Sequence, residues 1–342
     1  MAGRDLAPLF IVGAPRSGTS LLYKLLCLHP QAAWISNWGR RAPGQPALAV
    51  LNRLAPRLPT TRRRVWFGAD GANAYVYGRP RPLVERLFPM PVEGEPVYRR
   101  CGVGSGAAGV PERQVAELRR RFAAILRWSG GDLLVSKRIH NNLRIPLLAE
   151  AFPSAHFVNL IRDGRAVAYS LSRVDWWEDG VVWWYGQTPR RWREEGRDPW
   201  ELCARHWVRE LAAVEAGLTA VPADQRIEIR YERLVRAPVD TVRGVASFAG
   251  LRPDPTWLAE LPRLRYPDKD DAWLRALTPD ARARIEHIQH ADLRRLGHPS
   301  DDRSPPPRSP RDPQGRPALQ ATPQEPALRP GEEGPVGQSW YS

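Results

Sequence analysis

Two short segments of this 342-residue sequence combine glycine, hydroxyl and arginine side chains at spacings that suit the binding of an oxyanion. The first, residues 13–20 (GAPRSGTS), follows an apolar run at residues 9–12 and precedes a helical leucine pattern. It fits the phosphate-loop template G-x-x-x-x-G-(K/T)-S, with threonine in place of the lysine that binds nucleoside triphosphates. Its glycines let the backbone curl, and the following helix N-terminus adds positive partial charge. Arg16 contributes a planar cation suited to phosphate or sulfate.

The second segment, residues 160–170 (LIRDGRAVAYS), also passes from a predicted strand into a predicted helix. Arg162 lies at the strand end, and Ser170 follows eight residues later, about two helical turns on. Both side chains can therefore face one anion. Taken by itself, this segment has a purely structural explanation. Arg162 would be a surface arginine paired with Asp163, and Ser170 would form a hydrogen bond to its own helix. Two anion-type loops at neighbouring strand ends favour a ligand with two separate anionic groups.

These two segments resemble sulfotransferases that use 3′-phosphoadenosine 5′-phosphosulfate (PAPS), in particular the bacterial branch. Residues 15–22 (PRSGTSLL) resemble the 5′-phosphosulfate loop of that family, and residues 161–171 (IRDGRAVAYSL) resemble its 3′-phosphate motif. Weaker matches occur at residues 136–153, which resemble a "K…N-LRIP…FP" stretch, and at residues 230–234 (RYERL). The resemblance extends in order from residue 8 to about residue 297.

The resemblance implies PAPS as the co-substrate and no metal. It assigns the 5′-phosphosulfate to Arg16, Ser17, Gly18, Thr19 and Ser20. It further assigns the 3′-phosphate to Arg162 and Ser170 and the adenine to Tyr231. The dimerisation motif of the cytosolic members keeps only Thr241 and Val242, so the oligomeric state stays open.

Sulfuryl transfer is an in-line displacement that needs positioned reactants, charge stabilisation at the leaving oxygen and a base for the acceptor's proton. Arg16 can serve the leaving group. Lys137 is a second candidate, because this chain has only three lysines. His140 is the candidate base, since the usual pKa of histidine suits that role. The base candidates held in reserve are Asp175, Glu178 and Asp179. The glutamate base of some branches has no evident match, because residues 6–69 contain no carboxylate.

Adjacent tryptophans after the second segment suggest an acceptor site. The side chains of Trp176, Trp177, Trp183 and Trp184 cannot all face one core. They can form a lid that stacks on an aromatic ring, a sugar or a lipid-like body. A small satellite core is the alternative interpretation.

The alternation of predicted strands and helices indicates an α/β fold with a mainly parallel central sheet and helices on both faces, similar to P-loop nucleotide hydrolases. The expected domain covers residues 1–298 and has insertions at residues 36–110, which look irregular, and at residues 173–199. Residues 299–342 contain 11 of the 35 prolines and are predicted to form a disordered tail.

Composition narrows the function classes. The net charge of +14 comes from 48 arginines and three lysines against 37 acidic residues. These arginines are spread along the chain without a nucleic-acid-binding motif, so we expect a small-molecule or glycan acceptor and no nucleic acid. Three cysteines without a CxxC pair indicate neither a disulfide framework nor a zinc site. No apolar run is long enough for a membrane span, so we expect a cytoplasmic protein.

Two other function classes stay open at this stage. A P-loop kinase or another nucleotide-binding protein would use the same first loop. The missing lysine, and the lack of a clear strand ending in a Mg²⁺-binding aspartate, argue against it. A basic nucleic-acid-binding protein would explain the charge alone.

Overall fold

The computed structural model describes residues 6–69, 71, 82–104, 109–267 and 271–298. The strands are β1 Leu9–Val12, β2 Ala32–Trp34, β3 Leu133–Lys137, β4 His156–Ile161 and β5 Arg226–Arg230. The α-helices are α1 Thr19–Cys27, α2 Asn37–Arg41, α3 Pro59–Phe67, α4 Leu83–Leu87, α5 Glu95–Arg100, α6 Glu112–Ser129, α7 Ile145–Ala151, α8 Gly164–Leu171, α9 Pro189–Glu194, α10 Pro199–Leu218, α11 Tyr231–Arg236, α12 Pro238–Phe248, α13 Pro255–Glu260, α14 Ala272–Ala276 and α15 Pro279–Arg295. Short 3₁₀ helices cover Pro46–Leu54, Ile139–Leu143, Ala223–Gln225 and Leu261–Arg263.

The chain divides into two compact units. The first comprises the described parts of Met1–Arg162 and Glu210–Lys269, and the second those of Asp163–Arg209 and Asp270–Ser342. The first unit contains a parallel sheet in the order β2-β3-β1-β4-β5. This order confirms the predicted parallel α/β fold. Because all the strands point the same way, the segments that follow them emerge at one edge of the sheet.

Both faces of this sheet are covered by apolar side chains. Along β1, Leu9 and Ile11 pack into one buried cluster, whereas Phe10 and Val12 pack into another. Such a strand, apolar at every position, is typical of a parallel sheet with helices on both sides. Helix α6 packs with an apolar face against the rest of the unit. Its buried residues recur every three or four positions and are Val115, Leu118, Phe122 and Ile125.

The second unit has a core of its own. Helix α8 contributes Ala166 and Leu171, which pack with Trp177, Trp192 and Ile285. Gln289 on α15 is fully buried there and donates a hydrogen bond to the carbonyl oxygen of Gly164, 3.1 Å away. The tryptophan-rich segment after α8 is therefore partly an internal component of this unit.

Two features differ from the sequence-based expectations. Strand β2 was not predicted, because three residues are too few to show a period. The stretch 36–110 was expected to be irregular, but its described part contains helices α2 to α5 and a 3₁₀ helix. These helices have five to nine residues each, too short for a clear helical pattern. The predicted tail at residues 299–342 lies outside the described residues.

Within the described residues, no helix combines the length and the apolar character that a membrane crossing requires.

Candidate functional site

The loop between β1 and α1 adopts a curled backbone that explains its glycines. Gly13 and Gly18 have positive φ angles of 138° and 92°, and Arg16 lies in the left-handed region at 72°. A Cβ atom at Gly13 would lie 2.4 Å from the carbonyl oxygen of Leu160. A Cβ at Gly18 would lie equally close to the ring of Tyr231. Glycine is thus required at both positions, and the loop packs directly against β4 and the end of β5.

Asn142, in the 3₁₀ helix that follows β3, fixes the start of this loop. Its side chain accepts a hydrogen bond from the Gly13 amide at 3.1 Å and donates one to the Gly13 carbonyl at 3.0 Å. It also donates to Glu210 at 2.6 Å. Asn142 is fully buried, so these bonds are shielded from water. The 3₁₀ helix after β3 therefore holds the loop in place.

The loop has donors suited to an anionic group. The hydroxyl of Ser17 is buried and has no hydrogen-bond partner among the residues that the structure describes. Helix α1 begins after Gly18, and no side chain in the described structure caps its first amides. A buried hydroxyl and free helix amides cost free energy unless a ligand or water satisfies them. These residues fit a bound phosphate or sulfate group.

Arg162 contacts residues of two other motifs in the first unit. The Nη1 atom of Arg162 donates a hydrogen bond to the carbonyl oxygen of Arg16 at 3.1 Å. The guanidinium carbon of Arg162 lies 4.1 Å from the ring centroid of Tyr231. Arg162 is therefore held between the phosphate loop and an aromatic ring. Ser170, predicted to act with Arg162, lies on α8 in the second unit.

Lys137 ends β3, and its ammonium group pairs with Glu93. Arg138 binds the other oxygen of the same carboxylate at 2.7 Å. Burial by itself would raise the pKa of Glu93, but the charges and hydrogen bonds of Lys137 and Arg138 outweigh it and lower this pKa to about 2. Burial lowers the pKa of Lys137, the Glu93 carboxylate opposes this, and the charges of Arg138 and Arg16 lower it further. In the sheet, Lys137 pairs in register with Ile11 of β1, two residues before the loop that contains Arg16 begins at Gly13.

His140 lies beside a second buried carboxylate, that of Glu95. Its Nδ1 atom is 3.2 Å from an Nη atom of Arg138 and 3.6 Å from an oxygen of Glu95. Nδ1 accepts from the guanidinium when it is unprotonated and faces the carboxylate when it carries the proton. Burial lowers the pKa of His140, which keeps the ring neutral near pH 7. A neutral imidazole can accept a proton.

Glu93 and Glu95 are the residues that sequence reasoning missed. Glu95 is bound by Arg138 at 3.0 Å and by Arg144 at 2.7 Å, and hydrogen bonds and charges overcome burial to lower its pKa. Both glutamates lie in the stretch interpreted as an insertion. The scarcity of lysine pointed to Lys137, but no local pattern connects position 137 with position 93.

The tryptophans proposed as a lid occupy different environments in the second unit. Trp177 is buried in its core, whereas Trp183 is 42% exposed. Trp176 and Trp184 are partly buried, and the indole of Trp184 donates to Nδ1 of His206 at 3.1 Å. Burial lowers the pKa of His206 to about 3.

Two of the reserve base candidates are engaged in ion pairs in the second unit. Glu178 pairs with Arg193, and Asp179 pairs with Arg190 at 2.5 Å. Asp175 lies between α8 and these pairs in the sequence.

The sequence model described as "Sulfotransferase family" matches residues 8–255. This chain belongs to the sulfotransferase family. Two curated relatives, from Mycobacterium bovis and Mycobacterium tuberculosis, are each named omega-hydroxy-beta-dihydromenaquinone-9 sulfotransferase Stf3. Each is 24% identical to this sulfotransferase over 316 residues, which cover 85% of this chain and 75% of the relative.

A solved structure supports the fold. The crystal structure of sulfotransferase STF9 from Mycobacterium avium matches this sulfotransferase with a TM-score of 0.55 at 18% sequence identity. The match covers 88% of this chain and 79% of that one. The resemblance noted in the sequence and the P-loop-like fold are both confirmed.

Proposed function

We propose that this sulfotransferase uses PAPS as donor and transfers its sulfuryl group to a hydroxyl or amine of an aromatic, glycan or lipid-like acceptor. The observation that carries the proposal is the meeting of three strand ends around one loop. Arg162 after β4 bonds to the loop and stacks on Tyr231 after β5. Lys137 at the end of β3 pairs with Ile11 of β1, two residues before the loop begins. One ligand with a phosphosulfate, a second phosphate and an adenine ring would contact all of these groups.

In this proposal, the residues of the two specific motifs bind the donor PAPS. The loop residues Arg16 to Ser20 hold the 5′-phosphosulfate through backbone amides, the Ser17 hydroxyl and the Arg16 cation. Arg162 and Ser170 hold the 3′-phosphate. Tyr231 contacts the adenine, and its stacking with Arg162 positions that guanidinium.

Bound PAPS supplies an activated sulfuryl group whose departure leaves negative charge on a phosphate oxygen. Lys137 and Arg16 are the cations of this chain that stabilise such charge at the carboxyl edge of the sheet. Glu93 holds the Lys137 ammonium in one position and opposes the lowering of its pKa by burial. His140, neutral because of its burial, takes the proton of the acceptor.

The acceptor is assigned to the tryptophan-rich segment of the second unit. Trp183 offers an exposed indole surface, and Trp176 and Trp184 offer partly exposed ones. Trp177 lies in the core and would support its neighbours. The curated relatives are named for an omega-hydroxylated menaquinone, which favours a hydroxyl on a lipid-like body as the acceptor group.

The test is a comparison of ligands in thermal unfolding, followed by a transfer assay. Adenosine 3′,5′-bisphosphate should raise the melting temperature without Mg²⁺, because a ligand that binds the folded state stabilises it. Mg-ATP and an oligonucleotide should have little effect. Labelled PAPS incubated with extracts of the native host should then give a labelled product for mass identification. Stabilisation by Mg-ATP alone would instead indicate a kinase.

A further inference from the structure

Helix α4 carries the most exposed large apolar side chains of the described structure. Leu83 is 66% exposed, Val84 55% and Leu87 46%. No residue of the helix is buried. The three side chains share one face, because residues three and four apart are neighbours on the surface of a helix. Contiguous exposed apolar side chains of this kind are typical of a surface that binds a partner or a membrane.

Hydrogen bonds hold α4 at the carboxyl edge of the sheet. Helix α2 begins three residues after the end of β2, so it starts at this edge. Its first residue, Asn37, donates through Nδ2 to the carbonyl oxygens of Arg86 and Phe88, both at 3.1 Å. The Asn37 side chain also accepts a hydrogen bond from the amide of Met90 at 3.0 Å. The end of α4 is therefore attached to the start of α2.

Helix α4 is also close in sequence to the cation assigned to the leaving group. Glu93, six residues after Leu87, pairs with Lys137 at the same edge of the sheet. Six residues of chain span at most about 20 Å. Helix α4 thus lies on the side of the first unit where the donor loop and Lys137 lie.

Arginine and tryptophan side chains adjoin the apolar face. Arg86 lies on α4 itself, and Arg41 donates to its carbonyl oxygen at 3.0 Å. The indole of Trp38 donates to the carbonyl oxygen of Leu87 at 2.8 Å, and the guanidinium carbon of Arg41 lies 5.3 Å from the Trp38 ring centroid. Arg41 and Arg86 are exposed, and neither pairs with an acidic side chain in the part of the chain that the structure describes.

Acidic residues are scarce in the segments that form this patch. Residues 6–69, which include α2, contain nine basic residues and no carboxylate. Glu85 is the single acidic residue of α4. Apolar side chains beside tryptophan and arginine suit the interface of an anionic membrane, where indoles lie among the headgroups and arginines bind lipid phosphates. The charge of the patch therefore favours an anionic lipid surface as its partner.

We propose that α4 docks this sulfotransferase reversibly onto an anionic lipid surface. Leu83, Val84 and Leu87 enter the boundary between headgroups and acyl chains. Arg41 and Arg86 bind the lipid phosphates. A few apolar side chains and two arginines make a weak anchor, which allows release.

The purpose of such docking rests on the lipid-like acceptor proposed above. A hydroxyl on a membrane lipid would be presented to the edge of the sheet where Lys137 lies. Vesicle binding itself requires neither donor nor acceptor. It can therefore fail without affecting the assignment of PAPS, and the loss of PAPS binding would leave vesicle binding intact.

The test measures co-sedimentation of the full-length protein with vesicles. One set contains phosphatidylcholine alone, and the other contains phosphatidylcholine with about one-third phosphatidylglycerol. We expect binding to the anionic vesicles to be about tenfold tighter or more, because their surface potential attracts the arginines. Added salt should weaken it by screening that potential.

Leu83→Ser combined with Leu87→Ser is the decisive variant, because it removes apolar surface without changing the net charge. It should weaken binding to the anionic vesicles about tenfold or more. Its melting temperature and its affinity for adenosine 3′,5′-bisphosphate should stay unchanged, since neither leucine is buried.

Leu54→Ser combined with Leu58→Ser is the matched control. These leucines are also four positions apart and are 41% and 50% exposed. They follow Arg53, which binds the carbonyl oxygen of Trp128 near the start of β3, at the opposite edge of the sheet. This variant should bind the anionic vesicles as the unchanged protein does.

A fluorescent label shows whether α4 itself enters the lipid. The native cysteines Cys27, Cys101 and Cys203 are buried, so an exposed new cysteine can be labelled selectively. An environment-sensitive dye on Val84→Cys should shift its emission to shorter wavelength, saturably, as anionic vesicles are added. The same dye on Leu54→Cys should not shift.

Three results would overturn the proposal. The first is equal vesicle binding by the α4 variant and the control variant, which would indicate non-specific attraction of a chain with a net charge of +14. The second is bound protein whose dye at position 84 does not shift, which would mean that another surface docks. The third is protein that does not bind anionic vesicles. Self-association that is lost in the α4 variant would then identify a second copy of the chain as the partner.

Discussion

Lys137 is one of three lysines beside 48 arginines, and its ammonium is held by Glu93 at the carboxyl edge of the sheet. If it stabilises charge that develops only during transfer, Lys137→Met should lower kcat about a hundredfold with little change in KM. Steady-state kinetics with PAPS and an identified acceptor measures this. Binding of adenosine 3′,5′-bisphosphate is the control and should be retained. A raised KM at unchanged kcat would show that Lys137 binds the ground state instead.

The assignment of the 3′-phosphate can be tested with a pair of ligands. Arg162→Ala and Ser170→Ala should each weaken binding of adenosine 3′,5′-bisphosphate by roughly ten- to a hundredfold, because each removes a contact to the 3′-phosphate. Binding of adenosine 5′-phosphate, which lacks that group, should change little. Calorimetric titration of both ligands gives the comparison. Equal losses for the two ligands would contradict the assignment. Because Arg162 also bonds to Arg16, the Ser170 variant is the cleaner test.

The role of His140 should appear in the pH profile. Its pKa is lowered by burial, so the acidic limb of kcat should lie below the usual histidine value of 6.5. His140→Gln should remove this limb and reduce the rate by about 10²–10⁴. Binding of adenosine 3′,5′-bisphosphate should remain. A variant that keeps both rate and limb would make His140 structural and direct the search to Asp175, Glu178 and Asp179.

The β1–α1 loop depends on a backbone conformation that only glycine adopts freely. Gly13→Ala would place a methyl group 2.4 Å from the Leu160 carbonyl at a φ of 138°. We expect a loss of at least about 2 kcal/mol in the free energy of unfolding, measured by urea denaturation.

Gly44→Ala is the matched control for this prediction. A Cβ at Gly44 meets nothing within 4 Å in the described structure. This substitution should leave the unfolding midpoint nearly unchanged. An equal loss of unfolding free energy in the two variants would show that the loop conformation does not require glycine at position 13.

Buried ion pairs make the stability of the folded protein depend on pH. The pKa of Glu93 falls from 4.5 to about 2 on folding, and that of Glu95 falls as well. A carboxylate whose pKa is lower in the folded state stabilises the protein when the pH is above its pKa in the unfolded state. This contribution is lost as the pH falls toward the pKa in the folded state. Glu93 alone should contribute on the order of 3 kcal/mol.

The melting temperature should therefore drop as pH falls from 4.5 toward 2. Differential scanning calorimetry over this interval measures the drop. Glu93→Gln should be less stable near neutral pH, because Lys137 and Arg138 lose their shared partner, yet it should respond less to acid. A melting temperature that is constant through the interval would contradict the ion-pair assignment.

Local patterns in the sequence predict the parallel α/β class, and they also locate the glycine-containing β1–α1 loop and the strand–helix junction that contains Arg162. These features are local: an apolar strand, a glycine pattern and a helix follow one another within about twenty residues, so spacing alone shows them. The same holds for helix α6, whose apolar residues recur with the helical period. Short elements such as β2 were missed, because three residues cannot show a period.

Contacts between residues far apart in the sequence become visible in the folded chain. Glu93 reaches Lys137 across 44 positions, and Asn142 reaches Gly13 across 129. It also separated the buried Trp177 from the exposed Trp183, which the sequence pattern treated alike. Likewise, Trp34, Asn52 and Arg62 line one cavity although no motif links them. Such contacts depend on how strands and helices pack, and no repeat or spacing in the chain records that packing.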